Sequence, residues 1–294
     1  MTLGPEEFAA QLLKSLEIPL DPQVSLDSML EDDLGFDSLQ MLEAFVVLEE
    51  MLERPLGDDD LGEVSRFGSI RDFYEYYLVH DSMPQDGPTA SYSGSSMRGK
   101  LVELTPPMGQ HYSHLYQIAV ANDIAWRWRY GGAIPNYDDF LRTFSSGVLS
   151  QLVITKLRDT HPQGLTVAYN ANLQNRTAYL AVVIAPEMVG SGAGAEAAVL
   201  FLRYIFGTWD FVKVYMEVPE FNFDQFASGL GKVFVCEGTL KQHAYHAGKR
   251  WDQYILAIYR DEFTTRWPMQ GSRDPLSILN DTGGDSCERA HDVA

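Results

Sequence analysis

Cysteine is almost absent from this chain, and long apolar runs are missing. Only Cys236 and Cys287 occur among 294 residues, so neither a disulfide framework nor a cysteine-based zinc site can be built. No run of about 18 apolar residues is present, so no membrane-spanning helix is expected. The N-terminal segment is acidic rather than basic and apolar, so no secretory signal is expected. A reducing cytoplasm is the expected location, and no metal site is expected.

Basic residues are also scarce: 22 lysines and arginines face 41 acidic residues. The imbalance is uneven, because residues 1–81 hold 20 acidic and four basic side chains, a net charge of −16. The rest of the chain carries only −3. Such acidity repels nucleic acid and anionic membranes, so neither partner is expected. It serves solubility, or it suits docking against basic patches on partner enzymes.

The composition predicts two folded domains. Residues 1–81 are expected to form an all-α four-helix bundle, and residues 82–98, rich in Ser, Gly and Pro, a flexible linker. Residues 99–267 are expected to form an α/β (α+β) domain. The polar tail 268–294 is expected to be disordered.

Helical periodicity predicts the elements of the first domain. Residues 5–17, the segment that begins at Ser38 and residues 69–79 each place apolar side chains on one face. Ser38 stands where a helix N-cap belongs, and Pro55 marks the end of its helix.

Strands and helices alternate in the second domain. Strands are predicted at LVITKLR, LTVAYNAN, TAYLAVVIA, KVYMEV, KVFVCEG and QYILAIYR, with a His-Pro-Gln-Gly turn after the first and a Gln-Asn turn after the second. Helices are predicted over 137–150, in AGAEAAVLFLRYIF and over 222–230. Several adjacent strands thus precede the main helix.

A short motif, Gly35-Phe36-Asp37-Ser38-Leu39, stands at the start of the second helix. Its serine is either a simple N-cap or an exposed hydroxyl that holds a phosphodiester near the positive end of the helix dipole. Together with the small acidic bundle, the motif resembles the acyl and peptidyl carrier protein family. The resemblance implies that Ser38 carries 4'-phosphopantetheine, installed by a phosphopantetheinyl transferase, with Gly35, Asp37 and Leu39 completing the motif.

A glycine-rich segment follows the strand TAYLAVVIA. It consists of Val189, Gly190, Ser191, Gly192, Ala193 and Gly194. Successive N–H groups at a helix start form an anion-binding nest. The absence of a following lysine excludes a P-loop. A ligand-free turn remains open.

A dinucleotide-binding loop is a further alternative, because Gly190-x-Gly192-x-x-Ala195 fits its pattern and Glu217 follows at a suitable distance. Two facts oppose it. A Pro-Glu-Met-Val segment separates the strand from the glycines, and too little chain remains for further βα units.

Four segments of the second domain resemble the GNAT acyltransferase family, in the branch of the ribosomal-protein alanine N-acetyltransferases. They are Gly192–Ala197, Phe221-Asn222, Phe234–Gly238 and Tyr259–Phe263, in matching order and spacing. The resemblance covers about residues 100–267 and implies a GNAT acyl-CoA N-acyltransferase fold.

The same resemblance implies a coenzyme A site. The loop Val189–Gly194 would bind the pyrophosphate, Val183 and Ile184 would hydrogen-bond the pantetheine, and Asn222 would contact the cofactor. Val189 replaces the family's usual Gln or Arg.

The family's usual proton-handling pair is missing. Its strand carboxylate corresponds to Tyr179 and its helix tyrosine to Gly229. Three alternatives remain: proximity with water relays, substitution by other groups, or loss of acyl transfer. The candidate substitutes are Tyr179, His243, Tyr245 and His246. Trp126, Trp128 and Tyr130 either line an acceptor pocket or pack in the core.

The two resemblances together imply a carrier protein–acyltransferase fusion. It would transfer an acyl group between a thioester, on coenzyme A or on the Ser38 arm, and an amine or hydroxyl acceptor. Small-molecule acyl donors and acceptors and the thioester-handling enzymes of polyketide or nonribosomal-peptide biosynthesis are the implied partners. The alternative is a non-catalytic or diverged GNAT-fold module that binds a thioester and presents carrier-bound cargo.

Overall fold

The computed structural model describes residues 3–19, 24–53, 56, 63–64, 66–80, 97–121, 130–157 and 161–268. Most of the predicted linker, the tail after residue 268, and both Trp126 and Trp128 lie outside these ranges.

Three helices are described in the N-terminal region, where four were predicted. They are α1 (Pro5–Ser15), α2 (Ser38–Leu52) and α3 (Ile70–His80). Their apolar faces meet in one core that includes Phe8, Phe45 and Phe73, each fully buried. The periodicity of the sequence therefore located all three helices correctly.

The start of α2 corrects the prediction that Ser38 is the N-cap. The cap is Asp37, whose Oδ1 accepts hydrogen bonds from the N–H groups of Leu39 (3.0 Å) and Gln40 (2.9 Å). The Gln40 side chain accepts in return from the Asp37 N–H, which completes a capping box. A carboxylate caps better here because it adds a negative charge at the positive end of the helix dipole. Ser38 is the first helical residue, and its side chain is partly exposed.

The second domain is built on a mixed sheet of seven strands. These are β1 (Val102–Thr105), β2 (Val148–Lys156), β3 (Pro162–Asn172), β4 (Thr177–Ile184), β5 (Lys213–Pro219), β6 (Val235–His246) and β7 (Lys249–Tyr259). Their order is β1-β2-β3-β4-β5-β7-β6, and β4–β5 is the parallel pair among otherwise antiparallel neighbours. A doubly wound dinucleotide-binding fold needs a mostly parallel sheet, so this topology excludes that alternative.

Four α-helices and two 3-10 helices accompany the sheet. They are α4 (Gly109–Val120), α5 (Tyr137–Thr143), α6 (Ala193–Thr208) and α7 (Arg260–Arg266), with 3-10 helices at Pro186–Met188 and Glu220–Gly229. Helix α6 covers one face of the sheet, and α4 and α5 cover the other.

Three boundaries differ from the sequence predictions. The helix predicted over 137–150 ends at Thr143, because Gly147 turns the chain at a φ of +69° and Val148 then pairs with Tyr169. The helix predicted over 222–230 is a 3-10 helix, interrupted by non-helical dihedrals at Phe226. The predicted His-Pro-Gln-Gly turn is not observed at 161–164, since β3 already begins at Pro162.

Candidate active site

A wedge-shaped opening lies between the parallel strands β4 and β5. The strands pair from Thr177–Lys213 to Tyr179–Tyr215 and then separate. Beyond that point β4 continues to Ile184 and stays paired with β3, while β5 continues and stays paired with β7. The facing edges of the two strands therefore leave backbone groups available to an extended ligand.

The direction of these backbone groups follows from the β3–β4 ladder. Ala185 donates its N–H to the carbonyl of Gln163 at 2.7 Å. Because N–H directions alternate along an antiparallel ladder, Ile184 and Val182 direct theirs into the opening, whereas Val183 faces β3. Of the two predicted pantetheine contacts, Ile184 is thus the one whose N–H lies on the open side.

The glycine-rich loop stands at the wide end of the opening. Gly190 and Gly192 have φ angles of +80° and +79°, a region that glycine enters without strain. Ser191 Oγ donates to the Met188 carbonyl at 2.7 Å and accepts from the Ala193 N–H at 3.4 Å. Helix α6 begins at once, and its first N–H groups lack intrahelical partners. This loop has the geometry of an anion-binding helix start.

A row of tyrosines lies at the closed end. Tyr169, Tyr179 and Tyr215 stand side by side on three neighbouring strands, with ring centroids 5.6 Å and 5.3 Å apart. Burial, together with the negative charge of Glu217, raises the pKa of Tyr169 to about 12. Burial and Glu217 also raise the pKa of Tyr179. Both hydroxyls therefore keep their protons at neutral pH and act as hydrogen-bond donors, not as bases.

Glu217 is a carboxylate that was predicted only as part of the dinucleotide-binding alternative. It lies on β5 two residues after Tyr215, so the strand alternation places it on the same face, just past the last paired residues. Its side chain is exposed, which keeps it accessible to an acceptor. The alternation Tyr215-x-Glu217 in KVYMEV was the signal that could have indicated it.

The other residues predicted to replace the missing proton-handling pair do not lie at the closed end of the opening. His243, Tyr245 and His246 lie on β6, which β5 and β7 separate from β4. Tyr245 is 66% exposed, and the His246 ring packs on Phe221 at 5.2 Å. Only Tyr179 of the four candidates therefore borders the opening.

Asn222 and Tyr130 have local partners of their own. Asn222 lies in the 3-10 helix that follows β5, where its Oδ1 accepts from Gln225 Nε2 at 2.8 Å. The hydroxyl of Tyr130 lies 3.1 Å from Thr143 Oγ1.

The N-terminal bundle lies directly on the glycine loop. A Cβ placed on Gly192 would lie 3.4 Å from the Ser38 carbonyl oxygen and 3.3 Å from the Leu42 nitrogen. A Cβ placed on Gly190 would lie 3.1 Å from a carboxylate oxygen of Glu31. The start of α2 and the start of α6 therefore meet backbone to backbone, and Gly192 is buried in the contact.

Asp37 and Leu39, which flank Ser38, take part in the same contact. Ser228, in the 3-10 helix, donates to the Asp37 carboxylate from both its N–H and its hydroxyl, each at 2.9 Å. Leu39 lies against Gly229, whose hypothetical Cβ would be 3.2 Å from its Cδ2. Asp37 thus caps its own helix and bridges to the second domain.

Ion pairs surround this contact, each joining an acidic residue of the bundle to a basic residue of the second domain. The pairs are Glu17–Lys232 (2.6 Å), Glu43–Arg266 and Glu49–Lys100. The acidity predicted to suit basic patches on partner enzymes therefore faces basic side chains of the same chain.

Glu196 fixes the point at which the chain enters the second domain. Its buried carboxylate accepts hydrogen bonds from the N–H groups of Lys100 (2.7 Å), Leu101 (2.7 Å) and Val102 (2.9 Å). Burial raises the pKa of Glu196, while these bonds act in the opposite direction. Because Glu196 lies in the first turn of α6, this clamp ties the entering segment to the glycine loop.

Within the described ranges, no three His, Cys, Asp or Glu side chains cluster as a metal site would require. No helix in the described part of the chain is long and apolar enough to cross a membrane.

No known protein-family profile matches the chain, and no curated protein sequence matches it. Among solved structures, the spermidine N-acetyltransferase of Vibrio cholerae in complex with CoA and spermine has a TM-score of 0.50 at 18% identity, over 56% of this chain and 99% of that one. This likeness shows that the second domain has the GNAT acetyltransferase fold, as its sequence predicted.

Two further solved structures have lower scores. A probable GNAT-family acetyltransferase from Chromobacterium violaceum has a TM-score of 0.48 at 18% identity, over 62% of this chain and 97% of that one. A GCN5-related N-acetyltransferase from Brucella melitensis has 0.46 at 19% identity, over 58% and 80%.

Proposed function

We propose that this chain is a GNAT-type acyltransferase fused to a carrier domain. It transfers an acyl group from a thioester to an amine or hydroxyl acceptor, and its N-terminal bundle carries a phosphopantetheine arm on Ser38. The observation that carries the proposal is the β4–β5 opening, with an anion-binding loop at its wide end and a carboxylate and tyrosines at its closed end.

The thioester donor follows the opening. Its phosphate group lies on the glycine loop, and its pantetheine amides bond to the strand edges at Val182 and Ile184, with Asn222 near the cofactor. The CoA bound in the Vibrio cholerae neighbour supports this assignment. Most contacts are made by backbone, so Val189 in place of the usual Gln or Arg is compatible with cofactor binding.

Glu217 handles the proton of the acceptor. The acceptor nitrogen or oxygen attacks the thioester carbonyl, the new bond to carbon forms and the carbon–sulfur bond breaks. The acceptor's proton passes to Glu217 and then, through water, to the departing thiolate. Tyr179 keeps its own proton and donates a hydrogen bond to the developing negative charge, which the raised pKa of its hydroxyl favours.

The carrier assignment is supported by the environment of Ser38. Asp37 performs the capping, so the Ser38 hydroxyl is available for modification at the first position of a 15-residue helix. A phosphopantetheinyl transferase would install the arm, and thioester-handling biosynthetic enzymes, as in polyketide or nonribosomal-peptide assembly, would supply or remove the cargo.

Two measurements test the proposal. Peptide mass spectrometry of the protein from its native host is expected to find phosphopantetheine on Ser38 and none in Ser38→Ala. Labelled acetyl-CoA, incubated with a panel of amines including spermine, is expected to release free thiol, and Glu217→Gln is expected to stop the release. An unmodified Ser38 contradicts the carrier half, and a turnover that is insensitive to Glu217→Gln contradicts the catalytic half.

The second candidate is a thioester-binding module without turnover. The absence of the family's usual carboxylate and tyrosine at Tyr179 and Gly229 favours it. In that case acyl-CoA binds equally to the parent chain and to Glu217→Gln, and neither releases thiol in the presence of amines.

A further inference from the structure

We infer that the bundle, as it lies in this structure, delivers its own Ser38 arm to the second domain. The phosphodiester lies on the glycine loop and the pantetheine enters the β4–β5 opening, so the carrier-bound thioester is the acyl donor within one chain. This inference rests on the proposed function. It assigns the acyl donor, not the acyl acceptor, to the arm.

Ser38 lies beside the start of α6. Its carbonyl oxygen lies 3.4 Å from a Cβ placed on Gly192, the N-cap of α6. Ser38 is itself the first residue of α2. The N-terminal ends of a 15-residue and a 16-residue helix therefore converge at Ser38, and a phosphodiester on its hydroxyl would lie close to both.

Strand β4 leads from the loop to the closed end of the opening. Ile184 to Tyr179 is five residues of extended strand, or about 17 Å at roughly 3.3 Å per residue. An extended phosphopantetheine arm covers such a distance. The amides of the arm find partners in the inward N–H groups of Val182 and Ile184, and its thioester arrives between Tyr179 and Tyr215, beside Glu217.

The glycine loop lies directly against the start of α2. Gly192 and Ala193 are buried there, so a phosphate attached to the start of α2 is held close to the loop. An anionic oxygen, from Glu31, already lies beside Gly190, as expected of a loop that attracts negative charge. In the docked arrangement the Ser38 phosphodiester displaces Glu31 and takes the same place on the loop as the phosphate of an acyl-CoA donor.

The contact between the bundle and the second domain is specific. The Asp37 carboxylate receives two hydrogen bonds from Ser228, and the pairs Glu17–Lys232 and Glu43–Arg266 lie around it. Asp37 and Leu39, on either side of Ser38, therefore hold the modified residue over the loop.

Protection of the arm thiol from alkylation tests the inference. The phosphopantetheinylated full chain is treated with iodoacetamide, and modification of the arm is followed by peptide mass spectrometry. The exposed Cys236 serves as the internal reference in every sample. In the docked chain the arm lies in the opening, so its thiol reacts more slowly than in a chain whose bundle is released.

Reversing two charges of the second domain is expected to release the bundle. Lys232→Glu with Arg266→Glu turns two attractions into repulsions, and the arm is expected to react about fivefold faster or more. Adding Glu17→Lys and Glu43→Arg restores both pairs with opposite polarity and is expected to restore slow alkylation. The four substitutions avoid the glycine loop, the opening and Ser38.

The outcomes distinguish failure of the carrier function from failure of delivery within the chain. Delivery within the chain is supported if alkylation of the arm is slow in the parent chain, fast in the double variant and slow again in the quadruple variant. Equal alkylation rates in the parent chain and the double variant overturn it, and so does fast alkylation in a folded quadruple variant. If no arm is found on Ser38, the carrier function itself fails, and the inference fails with it.

Discussion

The helical bundle and the α/β domain differ in net charge, and three ion pairs join them. Residues 1–81 carry a net charge of −16, and the rest of the chain carries −3. Yet Lys100, Lys232 and Arg266 of the second domain each pair with a glutamate of the bundle. The bundle's acidity therefore has a partner within its own chain, which a count of charges along the sequence does not show.

The two regions also contribute differently to the shared site. In the proposed site the bundle supplies one helix start and the hydroxyl of Ser38, whereas the second domain supplies the loop, the opening and Glu217. Their contact relies on close approach of backbone at Gly192 and on the small Gly229. The predictions below test this division of roles, beginning with the largest expected effect.

Glu217→Gln is expected to abolish most acyl transfer while leaving the bundle unaffected. Loss of a positioned general base typically lowers kcat by about 10²–10⁴-fold. Steady-state kinetics with acetyl-CoA and an amine measures the loss, and mass spectrometry checks that Ser38 is still modified. Glu187→Gln, which changes an exposed carboxylate, is the control and is expected to retain activity. Equal activity of the two variants would remove Glu217 from the mechanism.

Glu196→Ala is expected to destabilise the junction between the two regions. Three backbone N–H groups lose their acceptor. The bond from Val102 is buried and the other two are partly buried, so a loss of about 1–3 kcal/mol in unfolding free energy is expected. Urea denaturation measures it, with Glu187→Ala expected to change stability by less than about 0.5 kcal/mol. A loss below about 1 kcal/mol would show that the clamp is not structural.

Glu31→Gln is expected to tighten binding of free coenzyme A about fivefold. A unit charge about 4 Å from an anion contributes roughly 1 kcal/mol of repulsion in water. Isothermal titration of the unmodified chain gives the affinity, and Asp32→Asn removes a neighbouring exposed charge as the matched control. Affinity that falls, or that rises equally in the control, would separate Glu31 from the anion site.

Arg266→Ala is expected to have the smallest effect on stability. An exposed ion pair contributes about 0–1 kcal/mol, so the unfolding free energy falls by less than about 1 kcal/mol. The bundle is expected to dock more weakly, and more so at high salt, which chemical shifts of α2 in NMR spectra would report. Salt-independent shifts in the parent chain would mean that charge does not hold the two regions together.

Much of the fold followed from local sequence pattern. The helices of the bundle, the strands around TAYLAVVIA and helix α6 were located by their periodicity, and the order of the GNAT-like segments indicated the fold. The end of the helix at Thr143 was missed, because the pairing of Val148 with Tyr169 outweighs local helical pattern. The N-cap was placed one residue late, because aspartate and serine both suit that position and only Asp37 also bonds to Ser228.

The site was harder to predict than the fold. Asp37 and Ser228 are 191 residues apart, and no periodic signal links such residues. Glu217 emerged only when the register placed it just past Tyr179 and Tyr215. His243, Tyr245 and His246 looked suitable by residue type alone, but they lie on β6, which β5 and β7 separate from β4.

Disulfide trapping tests the central claim most directly. In a chain with Cys236→Ser and Cys287→Ser, Tyr179→Cys places a thiol at the closed end of the opening, and Leu173→Cys places one on an exposed turn at the far end of β4. The account predicts that the arm on Ser38 forms an intramolecular disulfide with the cysteine at position 179, at a rate independent of protein concentration, and little with that at 173. Equal trapping at both positions, or trapping only between chains, would contradict delivery of the arm into the β4–β5 opening.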